Sequence, residues 1–269
     1  PRFTGGSCGY VPLDITNPDA ISQTFVDFAP DVVINCAAMT QVDECESNRE
    51  ACWQVNAIAV DNLAKNCLAR GTRLIQVSTD FVFDGQNGPY KEGARPNPLS
   101  YYGRSKLAGE NYARGAGMDK WSIVRTVLVY GVAEGLQRSN FVWWLKDNLE
   151  AGKTVKIVTD QWRTPTYALD LAAGIEKMVR FSKQGVYHLA GRELFSVFEF
   201  AKEIAKTLDL DDSLILPADE STFTQAATRP SKSGFIILKA ESELGYSPHS
   251  TRESVLEMVK EEQRIKLSP

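Results

Sequence analysis

The chain has 269 residues, of which 43% are hydrophobic, enough to bury one sizeable core or a large domain with a smaller lobe. The formal net charge is −4 and the 30 Lys and Arg residues are scattered along the chain, which argues against nucleic acid as a partner. Because no apolar run is long enough to span a bilayer and no charged, apolar leader opens the chain, the sequence predicts a soluble cytoplasmic protein without a membrane partner.

The first half of the chain alternates short β-branched runs with longer helical patterns, which is typical of βαβ units around a parallel sheet. The predicted strands lie at 10–13, 31–36, 73–78 and 122–130. The predicted helices lie at 19–28, 49–70 and 102–113. Asn17 and Pro18 are suited to begin the first of these helices, and Gly71 is suited to end the second.

Beyond Gly131 the alternation is looser, with helices predicted at 140–149, 167–181, 197–208 and 251–260 and strands at 155–159 and 185–189. We therefore predict an α/β fold, with a Rossmann-like parallel sheet covered by helices on both faces and a small C-terminal α/β substrate lobe. The nucleotide-binding domain is assigned to residues 1–131, with 151–190 partly returning to it. The smaller lobe is assigned to residues 132–150 and 191–269.

The five cysteines contain no Cys-x-x-Cys pair, which is typical of reduced thiols in a cytosolic protein; they are Cys8, Cys36, Cys45, Cys52 and Cys67. The sequence has only two histidines, His188 and His249, which argues against a His-rich metal site or a Ser-His-Asp triad. The sequence therefore assigns no metal ligand.

The apolar strand predicted at 73–78 runs directly into three small polar residues, Ser78, Thr79 and Asp80. Ligands of an open parallel sheet bind beyond the carboxyl ends of its strands, so these three side chains are candidates for chemistry. The alternative is that they only form a turn or cap a helix.

Tyr102 and Lys106 are four residues apart on a predicted helix, which places them one turn from each other on the same face. A nearby ammonium group favours the phenolate, so we expect Lys106 to lower the pKa of Tyr102 from its usual value of about 10. The spacing alone is also what two solvated residues on a helix give by chance. The hypothesis of a proton-transfer site depends on the combination with Thr79.

Several segments combine with these residues into a wider pattern: Asn35-Cys36-Ala37-Ala38, Val42-Asp43, the run from Ser78 to Gly85, Pro89-Tyr90, Tyr102-Gly103-Arg104-Ser105-Lys106, Arg125-Thr126, Asp160-Gln161, Pro165-Thr166 and Thr228-Arg229-Pro230. In this pattern the chain resembles the extended short-chain dehydrogenase/reductases and, more narrowly, the dTDP-4-dehydrorhamnose reductases. The resemblance implies NAD(P)H-dependent reduction of a 4-keto nucleotide sugar in deoxysugar and polysaccharide synthesis, by a homodimer. It leaves the choice between NADPH and NADH open, and the magnesium of some relatives has no assignable ligand here.

The resemblance also implies roles for individual residues. Tyr102 would protonate the keto oxygen, Lys106 would hold the nicotinamide ribose, and Thr79 would donate a second hydrogen bond to that oxygen. The implied cofactor contacts are Asp14, Ile15, Ala37, Ala38, Asn56, Ser78, Tyr102 and Lys106. The expected substrate contacts are Thr79, Asp80, Trp162, Arg163 and Arg229, although the two arginines are equally explained as solvated surface residues.

Two segments depart from the family pattern. Its opening Gly-x-x-Gly-x-x-Gly turn, which would hold the pyrophosphate, has no match in residues 1–7, so the first βαβ element is expected to be missing. Residues 232–235 also differ from the residues usual in the family.

Phe81 follows Asp80 where related nucleotide-sugar dehydratases carry a second carboxylate, which favours simple carbonyl reduction. Two alternatives stay open. One is a non-catalytic regulatory subunit resembling that of methionine adenosyltransferase, and the other is a nucleotide-sugar epimerase or dehydratase.

Overall fold

The computed structural model describes residues 9–117, 119–132 and 140–267. Helices α1 to α10 are, in chain order, Pro18–Phe28, Val42–Ser47, Arg49–Trp53, Ala59–Arg70, Tyr101–Gly115, Phe141–Glu150, Ala168–Arg180, Val197–Thr207, Leu238–Leu244 and Thr251–Leu267. Strands β1 to β10 are Val32–Asn35, Arg73–Thr79, Trp121–Thr126, Val129–Tyr130, Val155–Val158, Trp162–Arg163, Thr166–Tyr167, Gly185–His188, Phe195–Ser196 and Ile215–Ala218. A π-helical turn at Gln54–Ile58 joins α3 to α4.

The centre of the fold is a parallel sheet with the strand order β1-β2-β3-β8. Helices flank this sheet, and the predicted α/β fold with a parallel sheet is confirmed. Because the strands run in one direction, Asn35, Thr79 and Thr126 end β1, β2 and β3 at the same edge. That edge is where an open parallel sheet binds its ligands.

The predicted helix ends are confirmed at two places. The Asn17 side chain accepts hydrogen bonds from the backbone N–H groups of Asp19 and Ala20, and Pro18 occupies the first turn of α1. Helix α4 ends at Gly71, whose φ of 67° is a left-handed conformation that suits glycine.

Buried side chains of the late elements form a core of their own, apart from the cores against the central sheet. Its members include Tyr130, Val142, Leu145, Phe200, Ile204, Ile215, Val255 and Met258. This separate core is the observation that supports a smaller lobe, while the assigned domain boundaries stay a prediction.

The strand predicted at 10–13 is wrong, since this described segment forms no strand. Pro12 has no N–H group to give to a ladder, and the side chains of Tyr10 and Val11 are exposed, so neither pairing nor burial stabilises a strand there. The single long strand predicted at 122–130 is also wrong. Leu128, with a φ of 38°, breaks it into β3 in the central sheet and β4, which pairs with β7.

Six short elements were not predicted from the sequence: α2, α9, β6, β7, β9 and β10. Each has seven residues or fewer, so periodicity gives little signal for any of them. Cys8 and the glycines of residues 1–7 lie outside the described residues. In the part of the chain that the structure covers, no helix has both the length and the apolar character needed to cross a bilayer.

Candidate active site

Thr79 and Tyr102, which are far apart in the sequence, meet at the carboxyl edge of the central sheet. Thr79 ends β2 and Tyr102 lies in the first turn of α5, where the Ser100 side chain caps the helix by accepting from the N–H of Gly103 at 3.2 Å. The Thr79 hydroxyl lies close enough to the Tyr102 phenol to lower its pKa. The predicted pairing of strand end and helix face is therefore present in the fold.

Close packing sets the position of α5. A side-chain carbon at Gly103 would collide with the carbonyl oxygen of Phe81, and one at Gly109 would collide with that of Asn56. The Phe81 ring also packs edge-on against Tyr102, with 5.6 Å between ring centroids. Glycine at both positions lets the helix approach the end of β2 and the π-helical turn closely enough to place Tyr102 at Thr79.

The pKa of Tyr102 is raised from its ordinary value, opposite to the expected direction. Burial of the phenol is the main cause and the charge of Asp80 adds to it, while the Thr79 hydroxyl opposes the shift. Lys106 was expected to lower this pKa, but the cost of desolvating a phenolate outweighs the favourable contributions. A phenol that stays protonated at neutral pH suits a proton donor.

Lys106 is 5% exposed, and burial lowers the pKa of its ammonium group to about 8, against the opposing charge of Glu110. Its Nζ donates to the carbonyl oxygen of Val77 at 2.8 Å. An ammonium group has three donors, so this bond leaves donor capacity for the hydroxyls of a ribose. Ser78 has no such spare donor, because the one proton of its hydroxyl is donated to Glu110 at 2.7 Å.

Asp80 is buried beneath Thr79 rather than open to the cleft. Its Oδ1 accepts from the Thr79 hydroxyl at 3.2 Å, and its Oδ2 accepts from the hydroxyl of Ser233. Arg163 faces the same carboxylate, with 3.6 Å between Nε and Oδ2. Burial raises the pKa of Asp80, and the charge of Arg163 is the largest opposing effect.

The two arginines expected to contact substrate are both paired inside the protein. Arg163 is 5% exposed and lies against Asp80. Arg229 forms an ion pair with Asp43, with 2.6 Å between Nη2 and Oδ2, and so ties the segment before Pro230 to α2. Asp43 belonged to the family pattern. Its ion pair with Arg229 could not be predicted, because 186 positions separate the two residues in the sequence.

Trp162 is half-buried and borders an open depression of about 650 Å³. The other lining residues come from β9, α8 and the loops beside them: Leu194, Phe195, Glu199, Lys202, Glu203, Lys206, Asp209, Leu210 and Asp212. The ammonium group of Lys232 lies over the indole ring of Trp162, with 5.9 Å from its Nζ to the ring centroid. Neither Thr79 nor Tyr102 lines this depression.

The residues after β1 leave the carboxyl edge of the sheet open. Ala37 is exposed and Ala38 half-buried at the carboxyl edge of the sheet, so neither side chain blocks a ligand there. Asn56, a predicted cofactor contact, instead bonds the protein backbone. Its side chain accepts from the N–H of Met39 at 2.9 Å and donates to the Met39 carbonyl at 3.0 Å. Asn56 thus holds the loop after β1 in place.

Asp14 and Ile15 lie before α1. The carboxylate of Asp14 is exposed and accepts from the N–H and hydroxyl of Thr16, and these hydrogen bonds lower its pKa. Ile15 is half-buried. Both stay predicted cofactor contacts.

The structure adds Ser233 and Glu110 to the residues around the site, and it shows the partner of Arg125, which belonged to the family pattern. The sequence does not indicate these pairings, since the partners are 15 or more positions apart. Within the described ranges no three His, Cys, Asp or Glu side chains are grouped as a metal site requires.

Comparison with known proteins shows the family of this chain. The family described as RmlD substrate binding domain matches residues 5–264. The probable low-salt glycan biosynthesis reductase Agl14 of Haloferax volcanii is 36% identical over 242 residues, covering 89% of this chain and 80% of that protein. Methionine adenosyltransferase 2 subunit beta of Danio rerio is 32% identical and covers 91% of this chain and 78% of its own length.

A solved structure with the same fold is the dTDP-4-dehydrorhamnose reductase of Bacillus anthracis in complex with NADP. It aligns with a TM-score of 0.86 and 33% identity, over 93% of this chain and 87% of that one. Because the alignment spans nearly the whole chain, the similarity covers both the sheet and the late elements.

Proposed function

The chain belongs to the family of the RmlD substrate binding domain, and on that premise we propose that it reduces a 4-keto nucleotide sugar with NADPH or NADH. The observation that carries the proposal is that Thr79, at the end of β2, and Tyr102, at the start of α5, lie close enough for the Thr79 hydroxyl to lower the pKa of the phenol. Lys106, one helical turn further along α5, completes the group.

The proposed chemistry assigns one proton transfer to this chain. When bound, NADPH supplies a hydride to the carbonyl carbon. Tyr102 donates its phenolic proton to the carbonyl oxygen as negative charge develops there. Thr79 would turn its one hydroxyl proton from Asp80 to the same oxygen, and both contacts strengthen as the charge grows, which is how such groups lower a barrier.

Lys106 would hold the ribose of the cofactor through the donors that the Val77 carbonyl does not use. Ala37 and Ala38 would lie beside the cofactor backbone, and Asp14 and Ile15 would contact its adenine end. For Asn56 and Ser78 the proposed contribution is indirect, because their side chains are held by Met39 and Glu110.

The sugar nucleotide would lie over Thr79 and Tyr102, with Trp162 at its edge. We propose a dTDP-linked sugar as the substrate, as the name of the Bacillus anthracis enzyme suggests, and polysaccharide synthesis as the use of the product. We propose further that the protein acts in the cytoplasm as a homodimer, and sedimentation of the purified protein tests the oligomeric state.

Comparison of Tyr102→Phe with Tyr101→Phe tests the proposed function. Both changes remove one phenolic oxygen from neighbouring positions, but it is the pKa of Tyr102 that the Thr79 hydroxyl affects. NADPH oxidation with a dTDP-4-keto-6-deoxy sugar is expected to fall about 10²- to 10⁴-fold in Tyr102→Phe, the usual contribution of a positioned acid. Tyr101→Phe should stay within about twofold of wild type. Activity in Tyr102→Phe within a few-fold of wild type would reject the assignment.

A regulatory subunit is the second candidate, and the likeness to methionine adenosyltransferase 2 subunit beta is the observation that favours it. Turnover separates the two functions. A regulatory subunit would bind its enzyme partner without consuming NADPH in the presence of the keto sugar, whereas a reductase consumes one NADPH for each sugar reduced.

A further inference from the structure

Asp80 is a buried carboxylate whose partners come from distant parts of the chain. It is 2% exposed, and its Oδ2 accepts from the hydroxyl of Ser233 and faces Nε of Arg163 at 3.6 Å. Ser233 lies 153 positions away in the sequence. A buried charge is costly unless it is paired and hydrogen-bonded, and both partners stabilise the charged form of this carboxylate.

The other oxygen of Asp80 connects it to the reacting groups. Oδ1 accepts from the Thr79 hydroxyl at 3.2 Å, while the same hydroxyl accepts from the N–H of Phe81 at 3.2 Å. These two bonds fix the position of the Thr79 oxygen beside Tyr102, whose pKa the Thr79 hydroxyl lowers. Any movement of the Asp80 carboxylate would therefore turn the Thr79 hydroxyl.

The guanidinium of Arg163 is held by its own neighbours. Nη1 donates to the carbonyl oxygens of Trp162 and Ser231 at 2.8 and 3.4 Å, and Nη2 donates to Gln161 at 3.4 Å. Its Cζ also lies 5.9 Å from the centre of the Phe81 ring, which packs on Tyr102. With these donors engaged inside the protein, Arg163 is better placed to fix Asp80 than to bind a diphosphate.

Arg163 and Ser233 belong to one hydrogen-bonded unit. The N–H of Trp162 donates to Ser231 at 2.6 Å, and the N–H of Ser233 donates to the carbonyl of Trp162 at 3.1 Å. The N–H of Lys232 donates to Gly85 at 3.1 Å, which anchors this unit on the loop that follows Asp80. Both partners of Asp80 thus approach it from one hydrogen-bonded unit.

We propose that Arg163 and Ser233 are positioning residues for the reduction, acting through Asp80 on the Thr79 hydroxyl. This inference rests on the proposed function and changes the expected role of Arg163 from substrate contact to support. Stability alone gives no reason for the arrangement, because well-packed apolar residues usually stabilise a core as well as a buried ion pair does.

Steady-state kinetics on the purified natural protein tests the proposal with Arg163→Met, Arg163→Lys and Ser233→Ala. Arg163→Met should lower kcat about 10- to 100-fold with KM within about threefold, because misplacing a reacting group affects the transition state more than binding. Arg163→Lys, which keeps the charge, should recover part of the loss. Ser233→Ala removes a single hydroxyl and should lower kcat a few-fold. Arg192→Met, an exposed arginine paired with Glu241, is the matched control and should match wild type.

A Thr79→Ala background shows whether the effect passes through Thr79. There, Arg163→Met and Ser233→Ala should change kcat by less than about twofold, since residues that act through one group are not additive. A rise in KM at unchanged kcat for Arg163→Met would overturn the inference, as would full effects in the Thr79→Ala background. Wild-type kcat in Ser233→Ala together with Arg163→Met would also overturn it while the wild-type reductase activity stands. A wild-type protein without NADPH oxidation would instead overturn the proposed function.

Discussion

Glu110 on α5 and Arg125 on β3 form a two-point ion pair, with Nε to Oε1 at 2.8 Å and Nη2 to Oε2 at 2.7 Å. Both side chains are almost completely buried. Tyr102, Lys106 and Glu110 follow each other at intervals of four residues, so they lie along one face of α5. The ion pair therefore fixes to the sheet the same helix face that carries the reacting groups.

Glu110→Gln tests how much this ion pair contributes to the fold. The change leaves the Arg125 charge buried without its partner, so the free energy of unfolding should fall by roughly 3 to 5 kcal/mol. Asp61→Asn removes the partner of exposed Lys65 on α4 and should cost about 1 kcal/mol or less. Urea unfolding of both variants measures the difference, and equal small losses would contradict the proposed contribution of the buried pair.

Gly103→Ala tests the close approach of α5 to the end of β2. The added methyl group would meet the Phe81 carbonyl and push Tyr102 away from Thr79, so kcat should fall about 10- to 100-fold and the melting temperature should drop. Gly115→Ala adds a methyl group to the same helix where nothing lies within 4 Å. That control should keep activity and melt at the same temperature or higher. Wild-type kcat in Gly103→Ala would show that the contact does not position the phenol.

The sequence was sufficient for the parts of this site that depend on local pattern. The strand before Thr79 and the helix carrying Tyr102 and Lys106 were predicted from hydrophobic spacing, and parallel strands oblige their carboxyl ends to share an edge. The meeting of the two segments then follows from topology. The family resemblance supplied the proposed roles.

The sequence was insufficient wherever a side chain finds a distant partner. Nothing near Arg163 or Ser233 predicts that both face Asp80, since that contact depends on how the late segments fold back on the loop after β2. The pKa of Tyr102 was predicted in the wrong direction for a related reason. Spacing gives the neighbouring charge of Lys106, but burial is a property of the whole fold.

Asn56→Ala tests the support of the loop after β1. The Asn56 side chain bonds both backbone groups of Met39 and the hydroxyl of Ser105, so its loss leaves buried polar groups without partners and should cost roughly 2 to 3 kcal/mol. NADPH should also bind several-fold more weakly, because Ala37 and Ala38 precede Met39 in that loop. Asn66→Ala, in the helix that follows, is the control and should change neither quantity appreciably. Calorimetric titration with unchanged affinity would show that the loop does not contribute to binding.

Lys106 should give the stability of the protein a distinctive pH dependence. Its pKa is lowered to about 8 in the folded chain, whereas an unfolded lysine titrates near 10.4. Between these values the unfolded state binds more protons, so the free energy of unfolding should rise with pH in that window by roughly 1 to 3 kcal/mol. Below about pH 8 the cost of the buried ammonium is fully present and constant.

Lys106→Met removes the titrating group and should abolish this rise, together with the reductase activity at every pH. The difference in unfolding free energy between variant and wild type should then shift in favour of wild type from pH 8 to 10.5. Lys65→Met, which removes an exposed lysine whose pKa is raised by Asp61, should leave the rise intact. Urea unfolding at intervals across the window measures each slope. A wild-type curve that stays flat between pH 8 and 10.5 would mean that the ammonium is solvated rather than buried.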